Sequence, residues 1–396
     1  MKKTLSVILS LVMIMSMIAM LGIGASAAGA VECNTWAKVK AAIEADATAS
    51  IKLTANVVAN ETIASFAGTF DGNGKAVTVE KTMFAEITGT VTLKNFQTVA
   101  AAAIAESPIV HLAKGDATVT FQNVVNNVDV ADSTKQVGGF IATSSGTVSI
   151  TMTSCVNNGD LQSVNQVSGI LGNLGTKTTI NFTDVVNNGN ITGNKNYAGG
   201  IYCADGAVEG MMTRVINNGD IVVESKAEGQ KGSNAAGLIG TSKGKALVTL
   251  TDCANTGDVT LITPNTSAHY GVSAFATRTD NAESVFTLSN CISTGTMTSA
   301  SEGTSTDAIA LPKKSGSAVA TNCSYVNGET TVQGATKVDA AAAATAIAAI
   351  EAQMTLPTYE NVAPDTGDNS LAALFVVVAV AAVACTTVVL RKREQN

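Results

Sequence analysis

From Phe121 onward, apolar and polar positions recur in a fixed phrase: apolar-polar-polar-(Val or Cys)-apolar-Asn-Asn-Gly-(Asp or Asn)-apolar. The clearest copies are Met152–Leu161, Phe182–Ile191 and Met212–Ile221. An earlier copy starts at Phe121, and looser ones start at Leu250, Leu288 and Ala320. The fourth position (Val124, Cys155, Val185, Val215, Cys253, Cys291, Cys323) advances by 31, 30, 30, 38, 38 and 32 residues. Self-similarity at a nearly fixed period predicts a stacked solenoid.

Three strand-like runs fill each period. The first is small-Gly-apolar, as in Gly138–Ile141, Ser168–Gly172, Gly199–Tyr202 and Ala236–Gly240. The second alternates apolar residues with Thr or Ser, as in Val148–Met152, which marks a strand with one buried face. The third carries the Val/Cys marker, turns at Asn-Asn-Gly and resumes at Leu161, Ile191, Ile221 or Val259. Asn and Gly tolerate positive φ, so the turn is expected there. No segment with a 3.6-residue period interrupts the repeats, so the fold expected is all-β, a parallel β-helix with coils of about 30 residues. The crossover rule for parallel strands predicts a right-handed coil. Like residues then stack on like. Phe121, Met152, Phe182, Met212, Leu250 and Leu288 form one inward column, the markers another, and Asn126, Asn157, Asn187, Asn217 and Asn255 a ladder of side-chain amides.

Helices are expected only at the ends. Thr35–Glu44 places Trp36, Val39 and Ile43 on one face, with Asn34 or Thr35 as N-cap. The Ala-rich stretch Val338–Met354 is the second, expected to cover the last rung and protect its open sheet edges.

The run Gly138-Gly-Phe-Ile-Ala-Thr-Ser-Ser-Gly-Thr-Val148, followed by Cys155-Val-Asn-Asn-Gly-Asp-Leu161, resembles the GLUG-type repeats of bacterial surface proteins. Upstream, Phe66-Ala-Gly-Thr-Phe-Asp-Gly-Asn-Gly-Lys-Ala-Val-Thr-Val79 resembles the segment that often precedes such repeats. The resemblance covers roughly residues 50–336 and implies architecture, not activity.

Both termini address the chain. Lys2-Lys3, an apolar run from Leu5 to Ile23 and Ala25-Ser26-Ala27 read as a secretory signal, with cleavage expected after Ala27 or Ala30. At the other end, Ala363-Pro364-Asp365-Thr366-Gly367 precedes an apolar run from Leu371 to Leu390 and the basic Arg391-Lys392-Arg393. This order resembles the cell-wall sorting signal of Gram-positive bacteria, with Ala363 where that motif has Leu. The resemblance implies a sortase and cell-wall peptidoglycan as partners, and cleavage between Thr366 and Gly367; without cleavage, the apolar run holds the chain in the membrane. The organisation expected is a signal peptide at 1–27, a cap with first strands at 28–65, β-helix repeats at 66–336, and a capping helix at 337–355. A linker with the sorting motif follows at 356–370, then a transmembrane segment at 371–390 and a cytoplasmic tail at 391–396.

A net charge of −7, with only Arg214 and Arg278 before the tail, argues against a nucleic-acid partner. Six cysteines precede the apolar run, but Cys155, Cys253, Cys291 and Cys323 share a column with Val, so they read as free, buried thiols. With no Cys-x-x-Cys and only two histidines, no metal or other cofactor is expected. Asp71-Gly-Asn-Gly74 reads as a tight turn, because it lacks the spaced carboxylates of a calcium loop. Carboxylates are scattered singly, and aromatics make up 4% of residues, which leaves little surface for stacking sugars. No catalytic set is expected. The remaining enzyme alternative is a polysaccharide lyase or glycoside hydrolase.

The candidate binding corner lies where the period lengthens from 30 to 38 residues. Both insertions fall at the same corner of neighbouring rungs, and insertions on one face of a solenoid often form its binding face. They carry Glu224, Lys226, Lys231, His269 and Tyr270, with Tyr197 one rung earlier. The other reading is two solvated loops, since surface loops tolerate insertion. The function expected is an exported, envelope-anchored surface protein that binds a host or environmental glycan or protein, or serves as a structural module.

Overall fold

The computed structural model describes residues 29–194, 197–224, 234–263, 270–300, 305–312, 315–360 and 362. The signal peptide, the motif Pro364, Asp365, Thr366 and Gly367, the apolar run and the basic tail lie outside the described residues. Among those described, no helix is long and apolar enough to cross a membrane.

Every described strand pair is parallel, and like positions of successive repeats pair in register. Each full coil contributes one strand to each of four sheets, of 16, 7, 6 and 6 strands. One coil runs Val137–Gly138 (corner face), Ile141–Gly146 (back face), Val148–Asn157 (long face) and Leu161–Ser163 (turn face). The chain is thus a parallel β-helix with four strands per coil, not three. The alternating run and the marker run expected as separate strands are one, Val148–Asn157, bent at Ser154 (φ 56°).

That bend relocates the turn chemistry. Positive φ falls one residue before the marker, at Asn95, Asn123, Ser154, Asp184, Arg214, Asp252, Asn290 and Asn322, and not in the Asn-Asn-Gly phrase. The glycine of the phrase has a different task. A Cβ on Gly189 would sit 1.9 Å from the Gly159 carbonyl oxygen, and one on Gly219 1.9 Å from that of Gly189. The backbone of each rung approaches the next too closely for any side chain.

The expected columns form. Phe121, Met152, Phe182, Met212, Leu250 and Leu288 pair in register and are almost fully buried. Each such side chain contributes about 1.5–3 kcal/mol by leaving water. The ladder also forms inside the coil, where Asn126, Asn157, Asn187, Asn217 and Asn255 are fully buried. The first four Nδ2 atoms donate to the next Oδ1 at 2.7–2.8 Å, and the last four also donate to the carbonyl of their own Gly two residues on, at 2.8–2.9 Å. These buried amides therefore have partners for both donor and acceptor.

At the N-terminal end, helix α1 (Trp36–Ala45) covers the core, with the Thr35 hydroxyl accepting from Lys38 N. Trp36 meets Phe70 and Phe84 edge-on or tilted at 6.1–6.3 Å, and its Nε1 donates to the Glu61 carbonyl.

The C-terminal helix corrects an expectation. Helix α2 (Ala340–Glu351) does not cover the last rung; it lies along the flank of the long face. Residues after the marker (Val125, Val156, Val186, Ile216, Ala254, Ile292) form an outward apolar stripe, and Ala343 and Ile350 pack against that stripe. The stretch after α2, expected as exposed linker, continues along the same flank. Thr355 N donates to Asp184, the Tyr359 hydroxyl to the Asn123 carbonyl, and Gln97 Nε2 to the Glu360 carbonyl.

Candidate functional site

The lengthened corners sit between turn face and corner face. Glu224 pairs with Ile262 and Asn234 with Gly271, so the two insertions leave and rejoin the coil on adjacent rungs. Lys226, Lys231 and His269 lie outside the described residues. Glu224 is half-buried at the end of its strand. Tyr197 and Tyr270 are only 6% and 8% exposed. Tyr270 belongs to the small apolar core between turn and corner faces, with Val223, Leu261 and Val272.

Tyr197 is the centre of a charged cluster that the sequence reading did not assemble. Its ring faces Lys243 Nζ at 4.9 Å and the Arg278 guanidinium at 5.8 Å, and its hydroxyl accepts from Arg278 Nη1 at 3.1 Å. Arg278 is held by a bidentate pair to Asp280 at 2.7 and 3.0 Å. Lys243 pairs with Asp205 at 2.5 Å, and Asp205 also accepts from Gln166 (3.0 Å) and Asn173 (3.3 Å). Four consecutive rungs are joined in this way. Beside Tyr197 in register stands Asn234, fully buried, whose amide has no hydrogen-bond partner among the described residues.

The electrostatics are those of a closed network. Burial raises the Tyr197 hydroxyl above its usual range against the opposing charges of Arg278 and Lys243. Burial also works against ionisation of Asp205, but bonds from Lys243, Gln166 and Asn173 outweigh it, and its carboxyl sits below the usual value. Arg278 follows the same logic: burial opposes its charge, and Asp280 more than restores it. Two cations face two carboxylates, and the cluster holds no nucleophile–base pair.

The other candidates are quieter. Cys33, Cys155, Cys203, Cys253, Cys291 and Cys323 are free and buried, and burial pushes the Cys155 and Cys203 thiols up to about 12. Such thiols stay protonated and unreactive. Among the described residues no group of three or more His, Cys, Asp or Glu side chains is placed to hold a metal ion. The acidic column after the phrase (Asp129, Asp160, Asp220, Asp258, with Asn190 between) forms backbone caps: each side-chain oxygen accepts from the main-chain N–H of the next rung at 2.7–3.0 Å. A shallow depression of about 550 Å³ lies at the last rungs, lined by Leu311, Pro312, Val319 and Val332 among others. Neither protein-family models, nor curated proteins, nor solved structures match this chain.

Proposed function

We propose that this chain is an exported protein of the bacterial cell surface, a right-handed β-helix held at the envelope by its C-terminal signal and acting as a binding or structural module. The observation that carries the reading is the combination within one chain. A leader-like N-terminus and a sorting-like C-terminus enclose a stack of in-register rungs in which the Tyr197 cluster and the acidic column serve pairing and capping. The Tyr197 cluster fits this as a base beside the corner where the two insertions leave and rejoin the coil, a corner we assign to contact with a glycan or protein outside the cell.

The test is fractionation of cells making the full chain. Wild type is expected in the wall-linked fraction, and Thr366→Ala is expected to leave it for the membrane or the medium. A Thr366→Ala chain that remains wall-linked to the wild-type extent rules out sorting at this motif. Screening the displayed chain against glycans and host proteins, with and without residues 225–233 and 264–269, tests the corner. Binding that survives loop removal unchanged places recognition elsewhere on the solenoid.

A further inference from the structure

We infer that residues 339–360 form a tie that makes the first rungs the held end of the molecule and the last rung its outward tip. This inference rests on the proposed anchoring through the segment that follows.

The strap runs against the order of the rungs. It leaves the last rung where Val338 N donates to the Tyr325 carbonyl, and Asp339 caps α2 by accepting from Ala342 N at 2.8 Å. Helix α2 covers the stripe nearest Ile292, Thr355 reaches Asp184, Tyr359 reaches Asn123, and Glu360 reaches Gln97. From the strand of Tyr325 to that of Gln97 the long sheet takes seven steps, about 34 Å at the usual strand spacing. A twelve-residue helix supplies about 18 Å, and the nine residues after it up to about 30 Å. The reach and the distance agree.

Two consequences follow from this path. Whatever follows Glu360 starts beside the early rungs, so an anchor there turns those rungs toward the envelope. Tension between the outward tip and the anchor acts along the strap's own length, across the 22 residues from Asp339 to Glu360. The stripe contacts are then loaded together in shear. A tail leaving straight from the last rung would instead peel that rung away one bond at a time.

The test uses cells displaying the full chain. A Gln97→Cys, Glu360→Cys pair is expected to cross-link on mild oxidation, whereas Thr321→Cys with Glu360→Cys is not. The reverse pattern overturns the strap path. An epitope inserted at the exposed turn Gly328–Glu329 is expected to take up several-fold more antibody on intact cells than one at Asn73–Gly74, and the two to equalise after the wall is digested. Equal labelling before digestion, or an excess at Asn73–Gly74, overturns the polarity. Ile216→Glu, which puts a charge under the strap, is expected to remove that excess; Tyr359→Phe, which leaves the stripe apolar, covers the case in which Ile216→Glu does not fold. Polarity that persists in a folded Ile216→Glu chain, or in Tyr359→Phe where Ile216→Glu does not fold, also overturns the tie. Failure of the anchoring itself reads differently: the chain appears in the medium while the 97–360 cross-link still forms.

Discussion

The Asn ladder and the Tyr197 corner solve the same problem, polar groups inside a stack of strands, by opposite means. The ladder is periodic and neutral, with each amide both donor and acceptor, so one residue type repeated satisfies a whole column. The corner is used once. It spends charges of both signs, Lys243 with Asp205 and Arg278 with Asp280, around one aromatic ring. A ladder can be lengthened without new chemistry, whereas a corner of this kind is particular to its four rungs. The first is a device of the fold, and the second is the individual feature of this molecule.

Four substitutions separate the two, in order of expected effect. Gly189→Ala forces a methyl to within 1.9 Å of the Gly159 carbonyl and is expected to cost about 3–5 kcal/mol. It is read as a loss of hydrogen-exchange protection in the rungs on both sides. Asn187→Ala removes one of the two bonds of Asn157 Nδ2 and the donor to Asn217 Oδ1 and to the Gly189 carbonyl, all in a fully buried site, for an expected loss of about 2–4 kcal/mol. A change below that of the corner variants would mean the ladder is decoration. Tyr197→Phe removes only the bond from Arg278 and is expected to cost about 0.5–1.5 kcal/mol in thermal or denaturant unfolding. Asn188→Ala, in the exposed column beside the ladder, breaks amide–amide bonds of 2.8 and 2.9 Å that point toward the preceding rung and lie open to water, and is expected to cost less than about 0.5 kcal/mol. If it matched Asn187→Ala, burial would not be what separates the two columns.

Acid sharpens the comparison further. The carboxyl of Asp205 is depressed in the folded state, so its contribution to stability is present above the ordinary carboxylate range and is lost as pH falls through the folded value. The ladder has no titrating group. Lys243→Met is therefore expected to shift the acid limb of unfolding to higher pH, while Asn187→Ala lowers stability with no change in the shape of the pH profile.

How much of this was legible follows from the same contrast. Columns repeat in the sequence, so the inward stack, the ladder and the buried cysteines could all be read from aligned copies of one phrase. The left-handed position could not. Six of its eight occupants are Asn or Asp, which tolerate positive φ, but Ser154 and Arg214 interrupt the column among the clearest copies, and the nearby Asn-Asn-Gly gave a stronger turn signal. The strap was half visible. Marker and following residue are both apolar, as in Val185-Val186, and on an alternating strand one of them must face outward and need a cover. Nothing in an almost uniform Ala helix says which surface it will take. The corner was legible only as a place: the slip in period located Tyr197 and Tyr270, but Lys243, Arg278 and Asp205 come from the far side of the back face and leave no periodic trace.

The strap also measures. Most positions it touches recur on every rung, so α2 could rest equally well one step higher or lower. Thr355 is different, because of the described rungs its N–H bonds the carboxylate at Asp184, and the same column holds Ser154 on one side and Arg214 on the other. A rung added between that point and the tip would bring Arg214 opposite Thr355, a cation where an N–H needs an acceptor. The tail thereby reads the number of coils beneath it, a gauge of fixed length laid against a stack that otherwise has no reason to stop.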